Sequence, residues 1–507
     1  MEDDITSTLS RRELLTMSAG TSIVATAGCL TASSSEGQEP LRITLPREPT
    51  GGDWDTHGGV VPYYTPFQET LTRASPSLDT IEPGLATDWD TVDETTWEFE
   101  LREDVTFHDG TELTPSVAAD ALSGLIEARP LGFTRFTPDS FTPTGGQTLE
   151  IETSQPEPST PGNLAHPLLS LQHPDADDPV GTGPYTVESS APDEPVETNI
   201  YEDYWGETGD SALIFEGRQD PRTRSLRLES DETAVGIDLP RGSYDQLDSV
   251  DGVNVRRQTE PRTGMVQINK YRAVTNDRNL RQAILYAVDQ YEIVEQLLNG
   301  VGEPAHVPFS KVIPWSAHDE IPPHTGEEQA RDYLDQSEYD GEELRFIITG
   351  SEEEQRLIAE SIQRQCDAVG INIGIEQVEA AAFFSQYTGG ESDLAFVELG
   401  SINGAADYLV YVMYHSEGGD NVAQYESEGT GVVNPGSEVD ELIEGGDTAF
   451  DREQKHEAYR EVQRRVMDAA VTVPLYYKEH VLGWDSKITG PDEHAIPHMT
   501  DWTTLSR

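Results

Sequence analysis

The sequence predicts an α/β fold arranged as two lobes, and three observations lead there. Its 507 residues suffice for two large lobes at roughly 150 residues per folding unit. Up to about residue 262 the chain reads as short strands and Pro/Gly-rich loops, whereas beyond it long amphipathic helices alternate with strands. No repeat with a period of about 20–50 residues is visible, which argues against solenoids and propellers.

In chain order, 41–45 alternates as a first strand, and 97–101 alternates again before Val105 to Phe107 and the turn His108-Asp109-Gly110. Thr114 followed by Pro115 marks a helix start, with Val117, Ala121, Leu122 and Leu125 at helical spacing. Residues 137–180 are dense in Pro, Thr, Gly and Ser and read as loops, closing on the tight turn 181–185. Short strands follow, including 235–239 and 253–255. The apolar spacing over 279–299 predicts one amphipathic helix ending at Gly300, and 352–369 predicts another stopped by Gly370. Residues 371–375 alternate as a strand, 440–470 read as helix interrupted at Gly445-Gly446, and 471–477 read as a returning strand. Cys366 falls on the apolar stripe of Ile358, Ile362 and Val369, where it reads as a small core residue.

The amino terminus reads differently. Arg11-Arg12, the weakly apolar run 14–27 and Gly28-Cys29 describe an export signal, too short for the roughly 20 residues of a permanent membrane helix. The paired arginines resemble a twin-arginine signal, and Thr26-Ala27-Gly28-Cys29 resembles a lipobox whose cysteine carries lipid. Residues 1–29 are therefore expected to be signal and 30–40 a flexible tether, placing the mature chain outside the cell on a lipid anchor.

Composition narrows the function classes. With 94 acidic and 33 basic residues the formal charge is −61, which excludes a basic nucleic-acid footprint. Lys270, Lys311, Lys455, Lys478 and Lys487 are the only lysines, and acid-rich, lysine-poor composition resembles proteins of extreme halophiles, where salt screens self-repulsion. Low hydrophobicity with high charge is also the signature of disorder, but spaced aromatics and periodic apolar segments oppose that reading. Cys29 and Cys366 alone give no disulfide framework. There is no Gly-x-Ser-x-Gly elbow and no Cys-x-x-Cys pair, and His456-Glu457 lacks a second zinc histidine, so neither enzyme chemistry nor a resident metal or cofactor is expected.

Asp88-Trp89, the stretch 96–102, the run 105–110 and Leu113-Thr114 together resemble the signature of family 5 extracellular solute-binding proteins, the oligopeptide, dipeptide and nickel receptors of ABC importers. Further matches follow in order at 179–185, Tyr204-Trp205-Gly206, Gly236-Ile237-Asp238, Asn276-Asp277, Ala330-Arg331 and Gly370-Ile371, so the resemblance spans about 41–490. It implies a two-lobed periplasmic-binding-protein-like fold of type II around an inter-lobe cleft. Lobe I would comprise 41–262, with an extra subdomain at about 70–180, lobe II 263–472, and 473–507 would return to lobe I. The crossings are expected near 263–269 and 473–477. The resemblance also implies a monomer that captures solute without altering it, with an ABC permease and ATPase as partners.

Site residues follow from the same resemblance. In peptide-binding relatives an acidic residue meets the peptide's α-ammonium within a stretch shaped like Asn403-Gly404-Ala405-Ala406-Asp407-Tyr408, and Asp407 is the match by position. A carboxylate there suits an ammonium, which must be paired when desolvated. It equally suits a cap on a helix starting at Tyr408. Tyr63, Tyr64, Trp89, Tyr408, Tyr411 and Tyr414 offer flat walls for varied side chains, although for each one taken singly core packing is the first expectation. His415 matches the place where nickel-binding relatives supply a histidine, which makes a nickel–metallophore complex the alternative ligand. The segment 168–174 lacks the arginine that those relatives carry, leaving His173 or Arg135 as substitutes for carboxylate capture.

Overall fold

The first apolar alternation, Leu41–Leu45, is a strand whose Leu41, Ile43 and Leu45 are buried. The computed structural model describes residues 39–49, 64–132, 134–176, 180–191, 194–349, 353–403, 405, 407–418, 436–492 and 494–507. Arg11, Arg12, Cys29, most of the tether and Tyr63 lie outside the described residues. Among those described, eleven strands form one mixed sheet. Its order is Ile373–Val378, Leu344–Thr349, Leu394–Gly400, Val253–Ile268, Thr472–Asp485, Val235–Gly236, Leu41–Leu45, Leu213–Gly217, Val196–Ile200 and Tyr185–Ser189, with Glu303–Pro304 paired to Thr472–Asp485. Leu41–Leu45 and Leu344–Thr349 are each parallel to both neighbours, the pattern of strands covered on both faces.

Two long strands join the halves. Val253–Ile268 and Thr472–Asp485 pair antiparallel from Val253↔Asp485 to Thr259↔Glu479, and again from Thr263↔Tyr477 to Gln267↔Thr472. Between these runs, at Glu260, Pro261 and Arg262, the register slips, where Pro261 has no amide hydrogen for the ladder. On one side of the slip Val266, Ile268, Val473 and Leu475 join a core with Leu280, Ile284, Phe346 and Ile358. On the other side Leu482 packs with Ile43, Phe215 and Trp502. A separate core lies under the four-stranded sheet Ala86–Thr91, Thr96–Leu101, Thr148–Glu152, Phe141–Gly145 and the helix Pro115–Ala128. Thr114 caps that helix with Pro115 at its first position, as the sequence predicts.

Four local expectations need correction. The single helix over 279–299 is broken: Arg278–Ala287 ends at Val288, and Asp289 caps a new start by accepting from the Glu292 amide at 3.1 Å. Gln365 accepts from the Asp289 amide at 2.8 Å, so side chains replace the helical ladder there. Gly445-Gly446 do not interrupt a helix. Ser437–Asp447 runs through both, and a Cβ on Gly446 would lie 2.4 Å from the Tyr459 ring that packs there. The break falls before Asp451, which caps Arg452–Ala469. The Pro/Thr-rich stretch contains the hairpin Phe141–Gly145/Thr148–Glu152, turned by Gly145 and Gly146 at φ 123 and 62. The strand at 235–239 shrinks to Val235–Gly236, because Asp238 takes a left-handed φ of 51.

Helix Glu353–Val369 ends at Gly370 with φ 102 and buries Cys366, as expected. Among the described residues no helix is long and apolar enough to cross a membrane.

Candidate functional site

Asp407 opens the helix Asp407–Tyr414, and its carboxylate faces a partner from its own chain. Lys455 Nζ, on the helix Arg452–Ala469, reaches Asp407 Oδ2 at 2.5 Å, and Ser159 Oγ donates to the same oxygen. Lys455 Nζ also donates to Ser159 Oγ at 2.8 Å, closing a triangle. Burial alone would raise the Asp407 pKa, but the Lys455 ammonium and the Ser159 hydroxyl outweigh it and hold the carboxyl below its usual range. The ammonium partner that Asp407 is expected to find in a ligand is thus supplied internally.

Ser159 precedes the short helix Thr160–Asn163, whereas Asp407 and Lys455 lie on the helices Asp407–Tyr414 and Arg452–Ala469, far from it in sequence. Other contacts cross the same seam. Asn403, fully buried, donates from Nδ2 to the Gly162 carbonyl at 3.3 Å and accepts from Ser401 Oγ at 3.1 Å. Arg135 approaches Asp447 at 4.0 Å and lies 5.7 Å from the Tyr411 ring centre. Between these groups a cavity of about 40 Å³ is large enough for water alone. Two buried carboxyls beside it are shifted upward, Glu157 to about 7 and Asp447 to about 6, each chiefly by desolvation.

The remaining predicted residues divide. Tyr408 Oη accepts from the Ile402 amide at 3.3 Å, and Tyr411 stacks on His415 at 4.2 Å. His415 is buried, with Nδ1 accepting from the Glu417 amide at 3.1 Å and Nε2 facing Glu444 at 3.3 Å, so both ring nitrogens are engaged. His173 Nδ1 likewise accepts from the Asp175 amide at 3.2 Å. Trp89 stacks on Phe99 in the four-stranded sheet and lines neither the seam cavity nor the larger one below. Tyr414 is buried in the core, its hydroxyl 3.0 Å from Thr472 Oγ1. Asn403, Asp407, Tyr408, Tyr411 and His415 therefore gather on one loop and helix, while Trp89 does not join them.

Tyr64 stands elsewhere, at the strand crossing. It takes a left-handed φ of 66, and its carbonyl accepts from Trp502 Nε1 at 2.8 Å. Burial first, then the charges of Asp238 and Glu260, push its hydroxyl up to about 12. It borders a cavity of about 500 Å³ lined also by Gln68, Tyr204, Trp205, His498 and Trp502, a volume in the small-molecule range.

The register slip also gathers charges, of which only Asp238 falls in a stretch that the sequence singles out, Gly236-Ile237-Asp238. Lys478 Nζ lies 4.0 Å from Asp238, 3.9 Å from Glu260 and 3.9 Å from Glu398. Arg262 Nη1 is 3.5 Å from Glu260, and Arg241 spans to Glu398 at 3.5 Å and Glu354 at 3.0 Å. Tyr476 Oη donates to Glu398 at 2.5 Å. Burial would raise the Asp238 pKa, but Lys478, Arg224 and Arg241 bring it down to about 2. A further linear hint is lysine rarity, since Lys455 and Lys478 are two of the five and both are largely enclosed. Among the described residues no group of three or more His, Cys, Asp or Glu side chains is placed to hold a metal ion.

Comparison with known proteins fits this geometry. Residues 80–421 match the model of bacterial extracellular solute-binding proteins, family 5. The nickel-binding protein NikA of Staphylococcus aureus is 22% identical over 92% of this chain and 93% of its own length. Its structure in complex with Ni(L-His)2 superposes with a TM-score of 0.76, covering 92% of this chain and 100% of that one. Di/tripeptide-binding protein 1 of Pseudomonas aeruginosa is 22% identical over 87% of each chain. The Helicobacter pylori binding protein DppA, solved with the peptide STSA, is 19% identical, covers 92% of this chain and 98% of that one, and gives a TM-score of 0.72. The architecture is the two-lobed α/β fold of type II periplasmic binding proteins. With two-thirds of its length inside the family model and a clamshell joined by two strands, the chain belongs to the family 5 extracellular solute-binding proteins and is a binding component of ABC import, not an enzyme.

Proposed function

We propose that this protein captures di- and oligopeptides outside the cell in the cleft between its lobes and passes them to a membrane permease. Lobe I would comprise 41–262 with its extra subdomain, lobe II 263–472, and the chain would return through 473–507. The hinge is the slip between Thr259 and Thr263 opposite Lys478, because a break in the ladder bends more readily than paired strand. One observation carries the reading: contacts from Ser159, Gly162 and Arg135 to Asp407, Asn403 and Asp447 describe two jaws that meet. In this reading the Asp407–Lys455 pair helps hold the jaws together.

Peptide is favoured over a nickel complex because both nitrogens of His415 are already engaged. Relatives of both kinds, the di/tripeptide-binding protein and DppA on one side and NikA on the other, are similar to this chain, so the choice rests on His415. Cys29 would carry the lipid that keeps the protein, a monomer, at the outer face of the membrane, after a twin-arginine signal at Arg11-Arg12 has exported it. Such export suits a folded, halophilic cargo. Calorimetry with di- and tripeptides in molar KCl should give saturable binding, with native mass spectrometry weighing any co-purified solute. A protein that binds nickel–histidine but no peptide would refute the peptide reading.

A further inference from the structure

The seam cavity of about 40 Å³ lies between residues 132–163 on one side and 407–448 on the other, and the charges around it do not balance. Glu157, Asp407 and Asp447 bring three carboxylates to it, against the two cations Arg135 and Lys455. Lys455 is committed to Asp407, and Ser159 donates to the same oxygen. Arg135 Nη2 lies 4.0 Å from Asp447 Oδ2, beyond hydrogen-bond distance, and turns toward the Tyr411 ring. With every group ionised, one negative charge is left over. An enclosed carboxylate without its own cation is kept by binding a proton.

The hydrogen bonds say which carboxylate holds that proton. Glu157 is 7% exposed, and its Oε1 accepts from the Arg135 amide at 3.1 Å and from Asn163 Nδ2 at 3.1 Å. Its Oε2 faces Thr160 Oγ1 at 3.3 Å, but the single hydrogen of that hydroxyl is better spent on the Glu157 carbonyl at 2.8 Å. Thr160 Oγ1 thus presents a lone pair to Oε2, and a proton on Oε2 completes the contact. Asp447 is the second choice, since its Oδ1 already accepts from Tyr459 Oη at 2.8 Å. Burial outweighs the Arg135 charge at Glu157 and pushes it up to about 7. Burial likewise pushes up Asp447, which also faces Asp407, Lys455 and Arg135, to about 6.

Resting on the reading of two jaws that close on a peptide, we infer that closure takes up a proton at Glu157, so that mild acid tightens capture and rising pH loosens it. Separated jaws return Glu157 to water, where the ordinary glutamate value of 4.5 applies. The protonated form therefore favours closure, fully below about 4.5, and this preference is lost as pH rises through about 7. Asp407 is held below the usual carboxylate range, so the Asp407–Lys455 pair stays charged across this window and does not supply the effect.

The test is calorimetry on the full chain in molar KCl, with Ala-Leu as the probe. At pH 6.5, heats compared in two buffers of different ionisation enthalpy should report uptake of about one proton per peptide bound. Affinity should be at least about tenfold weaker at pH 7.5 than at pH 5.5. Glu157→Gln carries N–H in place of the proton, so its affinity should change less than about twofold over that range, with uptake below about half a proton. Peptide binding without proton uptake by the wild type needs no variant to fold and overturns the proton latch while leaving the peptide reading standing. Unchanged uptake in Glu157→Gln overturns the assignment to Glu157. A chain that binds no Ala-Leu overturns the peptide reading, and scattering from the ligand-free chain then decides the latch alone. Its radius of gyration should rise from pH 5.5 to 7.5 in the wild type and not in Glu157→Gln, and the same behaviour in both overturns it.

Discussion

Replacing Asp407 by alanine should open the clamshell without unfolding it. The Lys455 and Asp407 side chains are only 11% and 15% exposed, so removing the carboxylate leaves an enclosed ammonium with Ser159 as its remaining partner. Breaking one half of a buried pair costs about 3–5 kcal/mol. That cost is carried by the closed state alone, because separation of the jaws returns Lys455 to water. At about 1.4 kcal/mol per tenfold, the closed population should fall by a factor of roughly 100 to 4,000. Small-angle scattering should show a larger radius of gyration in Asp407→Ala with ligand present, with an unfolding midpoint close to that of the wild type. Asp407→Ala combined with Lys455→Met should recover most of the closure, since two apolar groups leave no stranded charge. The pKa of Asp407 is lowered, so its contribution is complete above the ordinary carboxylate range and is lost as acid protonates it. Unchanged scattering and affinity in the single variant would show that the pair does not hold the jaws.

Three further outcomes are open to direct measurement. Glu157, raised to about 7 by burial, favours the folded state while protonated, so its ionisation removes stability as pH climbs from about 4.5 through 7. Glu157→Gln keeps acceptors for the Arg135 amide and Asn163 and should be more stable than wild type by about 1–2 kcal/mol at pH 8, with no gain at pH 5 in denaturant titrations. Gly162→Ala would place a methyl 2.5 Å from the Ala405 Cβ across the seam, so ligand affinity should drop about tenfold or more while thermal unfolding is unchanged. Burial pushes the Cys366 thiol up to about 12, and it should resist a thiol reagent until the protein unfolds, as peptide mapping would reveal.

Much of the fold is legible because its signals are local. The alternation at 41–45 and 97–101, the Thr114-Pro115 start and the Gly370 stop each depend on residues a few positions apart. The two helix boundaries that were misplaced are tertiary decisions, taken by Gln365 at Asp289 and by the Tyr459 ring at Gly446. The site is less legible for the same reason. The loop and helix bearing Asn403 to His415 form a recognisable unit, yet the partner that occupies Asp407 is 48 residues further on. Asp238, Arg262, Glu398 and Lys478 meet only because four strands align them, Arg262 opposite Gly400 and Thr259 opposite Glu479. The neighbours of Arg262, Glu398 and Lys478 do not mark them, and Asp238 alone lies in a signature stretch, Gly236-Ile237-Asp238.

The last strand of the sheet, Thr472–Asp485, sits between Val253–Ile268 and Val235–Gly236, and its residues enter both cores. During synthesis, neither half can complete its sheet until about residue 485 has left the ribosome. Maturation is thus a single late event spanning the whole polypeptide, and a chain truncated near residue 470 would leave two incomplete sheets, each with an open edge to aggregate through.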